Sequence, residues 1–254
     1  MKQSYLTSST KTRSNMSETV KLFQYSTLSS LMAGLYKGSL TIGELLTHGD
    51  LGIGTVHMID GELIVLDGKA YQAIGTDGKA EIIQLSDDVT VPYAAVLPHH
   101  IQKQFDINAE IDNKDLEEMI LKNFEGQNLF KSLKIKGTFS RMHVRMIPKS
   151  PQHKRFADIA SNQPEFTREN VSGTLVGIWT PELFHGVGVK GFHVHFISDD
   201  LTFGGHVMDY SLTQGKVEIG KVDQLDQCFP TQDQEFLKAN FDLQKLREDI
   251  DLSE

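Results

Sequence analysis

The spacing of hydrophobic and polar positions changes several times along the chain, and each change marks a different kind of element. Between Gly52 and Leu85, short runs such as Glu62-Leu63-Ile64-Val65-Leu66 and Glu81-Ile82-Ile83-Gln84-Leu85 are separated by Asp60-Gly61, Asp67-Gly68 and Asp77-Gly78. Dipeptides of this type supply the backbone angles of tight hairpin turns, so the stretch predicts a β-meander. Within it Glu62 shares a face with Ile64 and Leu66, while Leu63 and Val65 point the other way. A carboxylate opening an apolar strand is either a solvated strand end or a functional group.

Helical spacing is found elsewhere. Tyr25 to Ala33 predicts a short capped helix ending before Gly34, and Thr41 to Asp50 predicts one or two helical turns closed by Gly49, with His48 as a capping residue. Asp112 to Phe124 carries Leu116, Met119, Ile120 and Phe124 on one stripe, and places Asp115, Glu117 and Glu118 near the positive end of the helix dipole. From Asp233 to the end, Phe236, Leu237, Phe241, Leu243, Leu246 and Ile250 predict an amphipathic helix. Strands are predicted over Leu133 to Ile147, over Gly173 to Trp179, and from Gly191 through Tyr210 to Ile219. Residues 148–170, with Pro148, Pro151 and Pro164, read as a loop or linker between two halves, 17–147 and 171–254.

The chemistry concentrates in Gly191-Phe192-His193-Val194-His195-Phe196, followed by Asp199-Asp200 and Gly204-Gly205-His206. On a strand His193 and His195 project from one side, roughly 6.5–7 Å apart at the backbone. Phe192, Val194 and Phe196 supply an apolar opposite face. The turn-forming residues from Ser198 to Gly205 predict a reversal that brings His206 alongside. Three imidazoles so placed make a metal face with positions left for water or substrate, as catalytic zinc requires. The plainer reading is a set of half-buried polar residues. Cupins also use a histidine-x-histidine strand, but with a glutamate shortly after it, and here Asp199 and Asp200 occupy that region.

A second cluster lies on the strand before Pro148, where Arg141, His143 and Arg145 alternate to one side. Such a row either protects a strand edge from aggregation or binds a carboxylate, which the arginine fork matches in geometry.

Composition narrows the classes further. The 254 residues are 39% hydrophobic and 23% charged, ample for a globular core. A formal charge of -9 argues against a nucleic-acid partner, because phosphate neutralisation needs a basic surface. Cys228 is the single cysteine, which excludes an intrachain disulfide, and it is expected to be a small buried hydrophobe. No apolar run is long enough to cross a bilayer and no cleavable signal opens the chain, so a cytoplasmic protein without a membrane partner is expected. Residues 1–16 are polar and expected to be disordered, with Met16 as an alternative start.

Taken together, these segments resemble the bacterial α-acetolactate decarboxylases from about Leu22 to Glu254. The resemblance is carried by Gly52-Ile53-Gly54-Thr55, Asp60-Gly61-Glu62, Leu66-Asp67-Gly68, Val91-Pro92-Tyr93-Ala94, Gly173-Thr174-Leu175-Val176-Gly177, and above all Gly191 through Asp200 with Gly204-Gly205-His206-Val207. It implies an α+β fold of two β-rich halves, a mixed or antiparallel sheet extending across both, flanking helices and a zinc site near the junction. The implied zinc ligands are His193, His195 and His206. The implied catalytic residues are Glu62, Arg145 in Val144-Arg145-Met146-Ile147-Pro148, Glu254 at the C-terminus, and Thr55. The activity implied is decarboxylation of 2-acetolactate to acetoin and carbon dioxide through a metal-stabilised enediolate, with protonation on one face and no organic cofactor. Members of the family are commonly homodimers. The competing classes are a cupin-like metal-dependent oxygenase and a non-catalytic ligand-binding module of related fold.

Overall fold

A computed structural model describes residues 19–76 and 78–253. The chain runs through β1 (Lys21–Tyr25), α1 (Leu28–Met32), β2 (Leu40–Thr41), α2 (Ile42–Leu46) and β3 (Leu51–Thr55). It continues with β4 (Glu62–Leu66), β5 (Lys69–Thr76), β6 (Lys79–Gln84), β7 (Thr90–Val91) and β8 (Tyr93–Leu97). Next come β9 (Ile101–Ile107), β10 (Ile111–Asp112), α3 (Asn113–Lys122), β11 (Lys131–Arg145) and α4 (Phe156–Ala160). The last elements are β12 (Glu165–Thr180), β13 (Gly191–Ser198), β14 (Gly204–Lys221), β15 (Gln224–Cys228), α5 (Gln234–Lys238) and α6 (Leu243–Ser253). The fold is α+β and dominated by strands, as the sequence implies.

Two sheets form the body. The first has seven strands in the order β15-β1-β8-β3-β4-β5-β6, and its β3 to β6 portion is the meander expected from the turn dipeptides. At the β3–β4 connection Gly61 has φ 78°, and a Cβ there would lie 2.2 Å from the Ala73 carbonyl oxygen, so no other residue fits without displacement. The sheet is mixed because β15 returns from the far end of the chain to pair parallel with β1. The second sheet contains β9 to β14, and within it β11, β12, β13 and β14 close a ring of antiparallel pairings. β11 and β12, which flank residues 148–164, pair from Lys131↔Trp179 to Arg145↔Glu165, so this sheet joins strands from both parts of the chain.

The sheets face each other across one core. Ile53, Ile64 and Tyr71 from the first meet Phe139, Met142, Leu175 and Phe196 from the second. Leu63 and Val65 alternate to the outer face, where they pack with Ile42 and Leu45. A third apolar cluster joins α1, α4 and α6 through Leu28, Leu31, Phe156, Leu246 and Ile250. Leu28, Leu31 and Phe156 of that layer line one pocket with Thr55 and Glu62 of the first sheet and Arg145, His193 and His206 of the second.

Several local expectations change. Residues 148–170 contain α4 and the first residues of β12. The C-terminal helix is two helices, because Ala239 is extended at φ -59° and ψ 137°, and Asp242 starts α6 by accepting from the Lys245 amide at 3.2 Å. His48 does not cap α2; its ring stacks on Phe23 with centroids 3.7 Å apart, and Thr47 is the C-cap. Gly49 instead permits close approach, since a Cβ would sit 2.1 Å from the Leu97 carbonyl carbon. On α3, Leu116 and Ile120 are buried but Met119 is exposed. Cys228 is half-buried. The expectations for residues 1–16 and for Glu254 lie outside the described residues.

Candidate active site

The three histidines meet where the strands of the second sheet close their ring. His195 is opposite His206 in the β13–β14 register, and His206 is opposite Arg145 on its other side in β11. The connecting turn is fixed by side chains: Ser198 Oγ accepts from the Phe203 amide at 3.0 Å, and Asp200 Oδ1 accepts from Ser198 Oγ at 2.6 Å and the Thr202 amide at 3.1 Å. Asp200 is thereby committed to the turn. Gly205 makes the close crossing possible, since a Cβ would lie 2.7 Å from the Arg145 carbonyl oxygen. The three ring centroids are 5.0 to 5.5 Å apart, and one nitrogen from each ring lies within 4.8 Å of the others.

All three rings are buried, and burial pushes their pKa values down, with the Arg145 charge adding to the shift. His195 falls to about 4, while His193 and His206 fall well below the ordinary imidazole value. They are therefore neutral at pH 7, the form that binds metals. His195 Nδ1 lies 2.9 Å from the Leu63 carbonyl oxygen, which can only accept, so Nδ1 carries the ring proton. Its Nε2 lone pair is buried and, among the described residues, has no hydrogen-bond partner. Glu62 Oε2 is 3.6 Å from that nitrogen, but a neutral imidazole makes no ion pair with it. An orphaned lone pair beside two other neutral imidazoles is the donor set a divalent cation would complete. The residues present fit such an ion.

Glu62 enters from the other sheet. It begins β4 on the face that looks toward the second sheet, directly opposite Thr55 in the register. Its Oε1 accepts from the Ile147 amide at 3.0 Å. Burial raises its pKa to about 7, against the opposing effects of the Ile147 hydrogen bond and the Arg145 charge. A carboxyl group so tuned can hold a proton near neutral pH and release it. Thr55 is buried at the same pocket, and its hydroxyl donates to the Gly61 carbonyl at 2.7 Å, bracing the connection into Glu62.

Of the basic row on β11, Arg145 alone lines this pocket. Its Nη2 donates to His206 Nε2 at 3.4 Å. Arg141 is held at the surface by Asp209, and His143 lies between Asp209 at 3.1 Å and Glu165 at 3.2 Å. The pocket also takes residues that pattern alone did not reveal. Leu28 and Leu31 of α1, Phe156 of α4, and Ile147 form its apolar side, with Tyr93 and the polar Gln163 beside them. Of these, Tyr93 and Ile147 had a prior signal, in Val91-Pro92-Tyr93-Ala94 and Val144-Arg145-Met146-Ile147-Pro148. The others come from elements whose distant packing the sequence does not display.

Fold and site together define an α+β protein with a three-histidine centre of metal-binding type at the junction of two sheets. Residues 22–243 match the profile of the alpha-acetolactate decarboxylase family, and the chain belongs to this family of carboxy-lyases. It is 60% identical over 239 residues to the alpha-acetolactate decarboxylase of Streptococcus thermophilus, covering 94% of this chain and 100% of that one. Identity to the protein of the same description from Lactococcus lactis subsp. cremoris is 58%, over the same shares. A Staphylococcus aureus crystal structure, described as a protein of unknown function similar to alpha-acetolactate decarboxylase, superposes with TM-score 0.88 at 43% identity, covering 92% of this chain and 100% of that one. The alpha-acetolactate decarboxylase of Bacillus subtilis gives 0.87 at 31% identity, with 92% and 99% covered.

Proposed function

We propose that the protein decarboxylates 2-acetolactate to acetoin and carbon dioxide, with zinc held by His193, His195 and His206. The observation that carries this reading is the convergence of three neutral imidazoles in a family member, two of which, His193 and His206, line one pocket with the Glu62 carboxyl group tuned to near neutrality and the Arg145 guanidinium. Zinc bound there would supply Lewis-acid withdrawal of charge from substrate oxygens.

The chain's own residues then do the following. Arg145 grips the substrate carboxylate through its planar fork and orients the bond to be broken. That bond cleaves, carbon dioxide departs, and the electron pair stays on the carbon that bore the carboxylate, giving an enediolate. Protonated Glu62 delivers a proton to that carbon from one side, which makes the acetoin a single enantiomer, and solvent restores the proton. Glu254 is the second carboxylate of this reading, assigned by the C-terminal motif of the resemblance. Thr55 keeps Glu62 aimed by bracing the β3–β4 connection. The apolar side of the pocket accepts the substrate methyl groups and excludes water. A homodimer working in the cytoplasm belongs to the same reading.

The test is incubation of zinc-loaded protein with 2-acetolactate under anaerobic conditions, measuring acetoin, its enantiomeric purity and bound metal. Single-enantiomer acetoin lost on chelation and restored by zinc is expected. A zinc-loaded protein that makes no acetoin, or a stripped one that makes it undiminished, would overturn the reading.

A further inference from the structure

Short α4 supplies one wall of the pocket. Phe156, its first residue, and Gln163, just beyond its end, both line the cavity that contains Glu62, Arg145 and His193. A five-residue helix has too few internal hydrogen bonds to hold its own position, so its placement must come from what grips it. On one side the preceding chain is tied down: Tyr36 Oη donates to the Lys154 carbonyl at 2.6 Å, and the Tyr36 ring packs against Phe156 with centroids 6.5 Å apart.

The other side is gripped from α6. Arg155, the residue immediately before α4, donates from Nε to Asp249 Oδ2 at 2.9 Å and from Nη2 to Asp249 Oδ1. Asp249 is only 2% exposed, although it sits on a helix that is otherwise largely polar. Its neighbours Leu246 and Ile250 are buried in the same apolar cluster as Phe156, Leu28 and Leu31. A carboxylate is costly to bury, and a two-pronged guanidinium contact meets that cost in one orientation only. The fork therefore fixes direction as well as distance between α6 and the start of α4.

We infer that Arg155 and Asp249 are a positioning pair for the decarboxylation: their bidentate contact docks α6 on α4 and so holds Phe156 and Gln163 at the substrate side of the pocket. Neither residue touches the reacting atoms. This inference rests on the proposed function, since it concerns how the same pocket is shaped. It predicts that loosening the fork enlarges and softens the substrate wall while the histidines on β13 and β14 keep their geometry.

The experiment uses Asp249→Asn, Arg155→Lys and the exchanged pair Arg155→Asp with Asp249→Arg, each as the full zinc-loaded chain. Each single variant is expected to retain zinc at the wild-type ratio, to raise KM for 2-acetolactate several-fold more than it lowers kcat, and to speed amide exchange in α4 and α6 together. The exchanged pair is expected to recover part of the KM, which a loss of packing alone would not allow. Arg155→Lys covers the case in which Asp249→Asn does not fold, because it keeps the charge and removes only the fork. Unchanged KM and unchanged exchange in α4, with an active wild type, would overturn the inference and leave the proposed function standing. An inactive zinc-loaded wild type would instead overturn the function on which it rests.

Discussion

His195 on β13 and Leu63 on β4 join the two sheets through a 2.9 Å hydrogen bond from imidazole Nδ1 to the main-chain carbonyl. The residue before Leu63 is Glu62. One contact therefore sets the tautomer of a histidine and registers it against the carboxyl group with which it shares the site.

Replacing His193 with alanine removes one of three nitrogens and leaves the fold of β13 intact. Zinc content should fall far below that of the wild type, and activity should fall by more than the roughly 10–100-fold that loss of an outer hydrogen bond to a metal ligand costs. Metal analysis after dialysis, paired with acetoin assay, checks this; an active metal-free variant contradicts it.

Glu62→Gln keeps the shape and can still accept the Ile147 hydrogen bond. It cannot deliver a proton as the acid does. We expect kcat to drop by about 10²–10⁴-fold, the usual contribution of a positioned proton donor. Zinc content should be unchanged. Unaltered turnover would transfer the proton-delivering role to another carboxylate.

Arg145→Lys retains positive charge at the pocket and loses the fork, so kcat/KM should fall strongly with normal zinc content. The same change at Arg141 should leave kinetics untouched, because that residue is paired with Asp209 at the surface. Its effect on stability should be no more than about 1 kcal/mol. Reversal of the two results would exchange the assigned roles.

His99 offers a test of pH dependence away from the site. Its side chain is only 7% exposed, with Nδ1 2.8 Å from Ser132 Oγ and Nε2 3.5 Å from Glu218 Oε2, and its main-chain amide donates to Asp50. Burial lowers its pKa below 6.5, aided by Lys134 and opposed by Glu218 and Asp50. The unfolded chain takes up this proton first as pH falls through about 6.5, so the native state loses stability there. The loss continues until the folded protein also binds the proton. His99→Gln should therefore flatten the decline of Tm between pH 7 and pH 5 relative to wild type; parallel curves would exclude the effect.

Phe139 is fully buried and meets both Phe196 and Tyr210 edge-on, with centroids 5.3 and 5.7 Å apart. It lies beneath the strand that carries His195. Phe139→Ala should cost about 3–5 kcal/mol in denaturant unfolding. A cost near zero would mean the core collapses around the gap.

The meander from β3 to β6, the capped helix α1, the helical spacing of α3, and the histidine hairpin were legible because each depends on neighbours in sequence. Turn dipeptides, strand alternation and helix caps act over a few residues, and the resemblance then named His193, His195, His206, Glu62 and Arg145. Harder to read were the break at Asp242, the surface fate of Arg141 and His143, and the stacking of His48 on Phe23. The fates of Arg141, His143 and His48 are decided by contacts from elsewhere in the chain, and the break by the extended backbone at Ala239 and the new cap at Asp242.

By itself the sequence determined the β3–β6 meander and the strands β11 to β14, though not β1, β8, β9 or β15, and that the two histidines of β13 project to one side. Tertiary structure decided that this side meets the carboxylate face of β4, that Glu62 is buried deeply enough to be tuned toward neutrality, and that α1 and α4 close the pocket. The reason is that alternation of side chains is imposed by the local backbone. Desolvation and convergence instead depend on surfaces brought together from residues far apart along the chain.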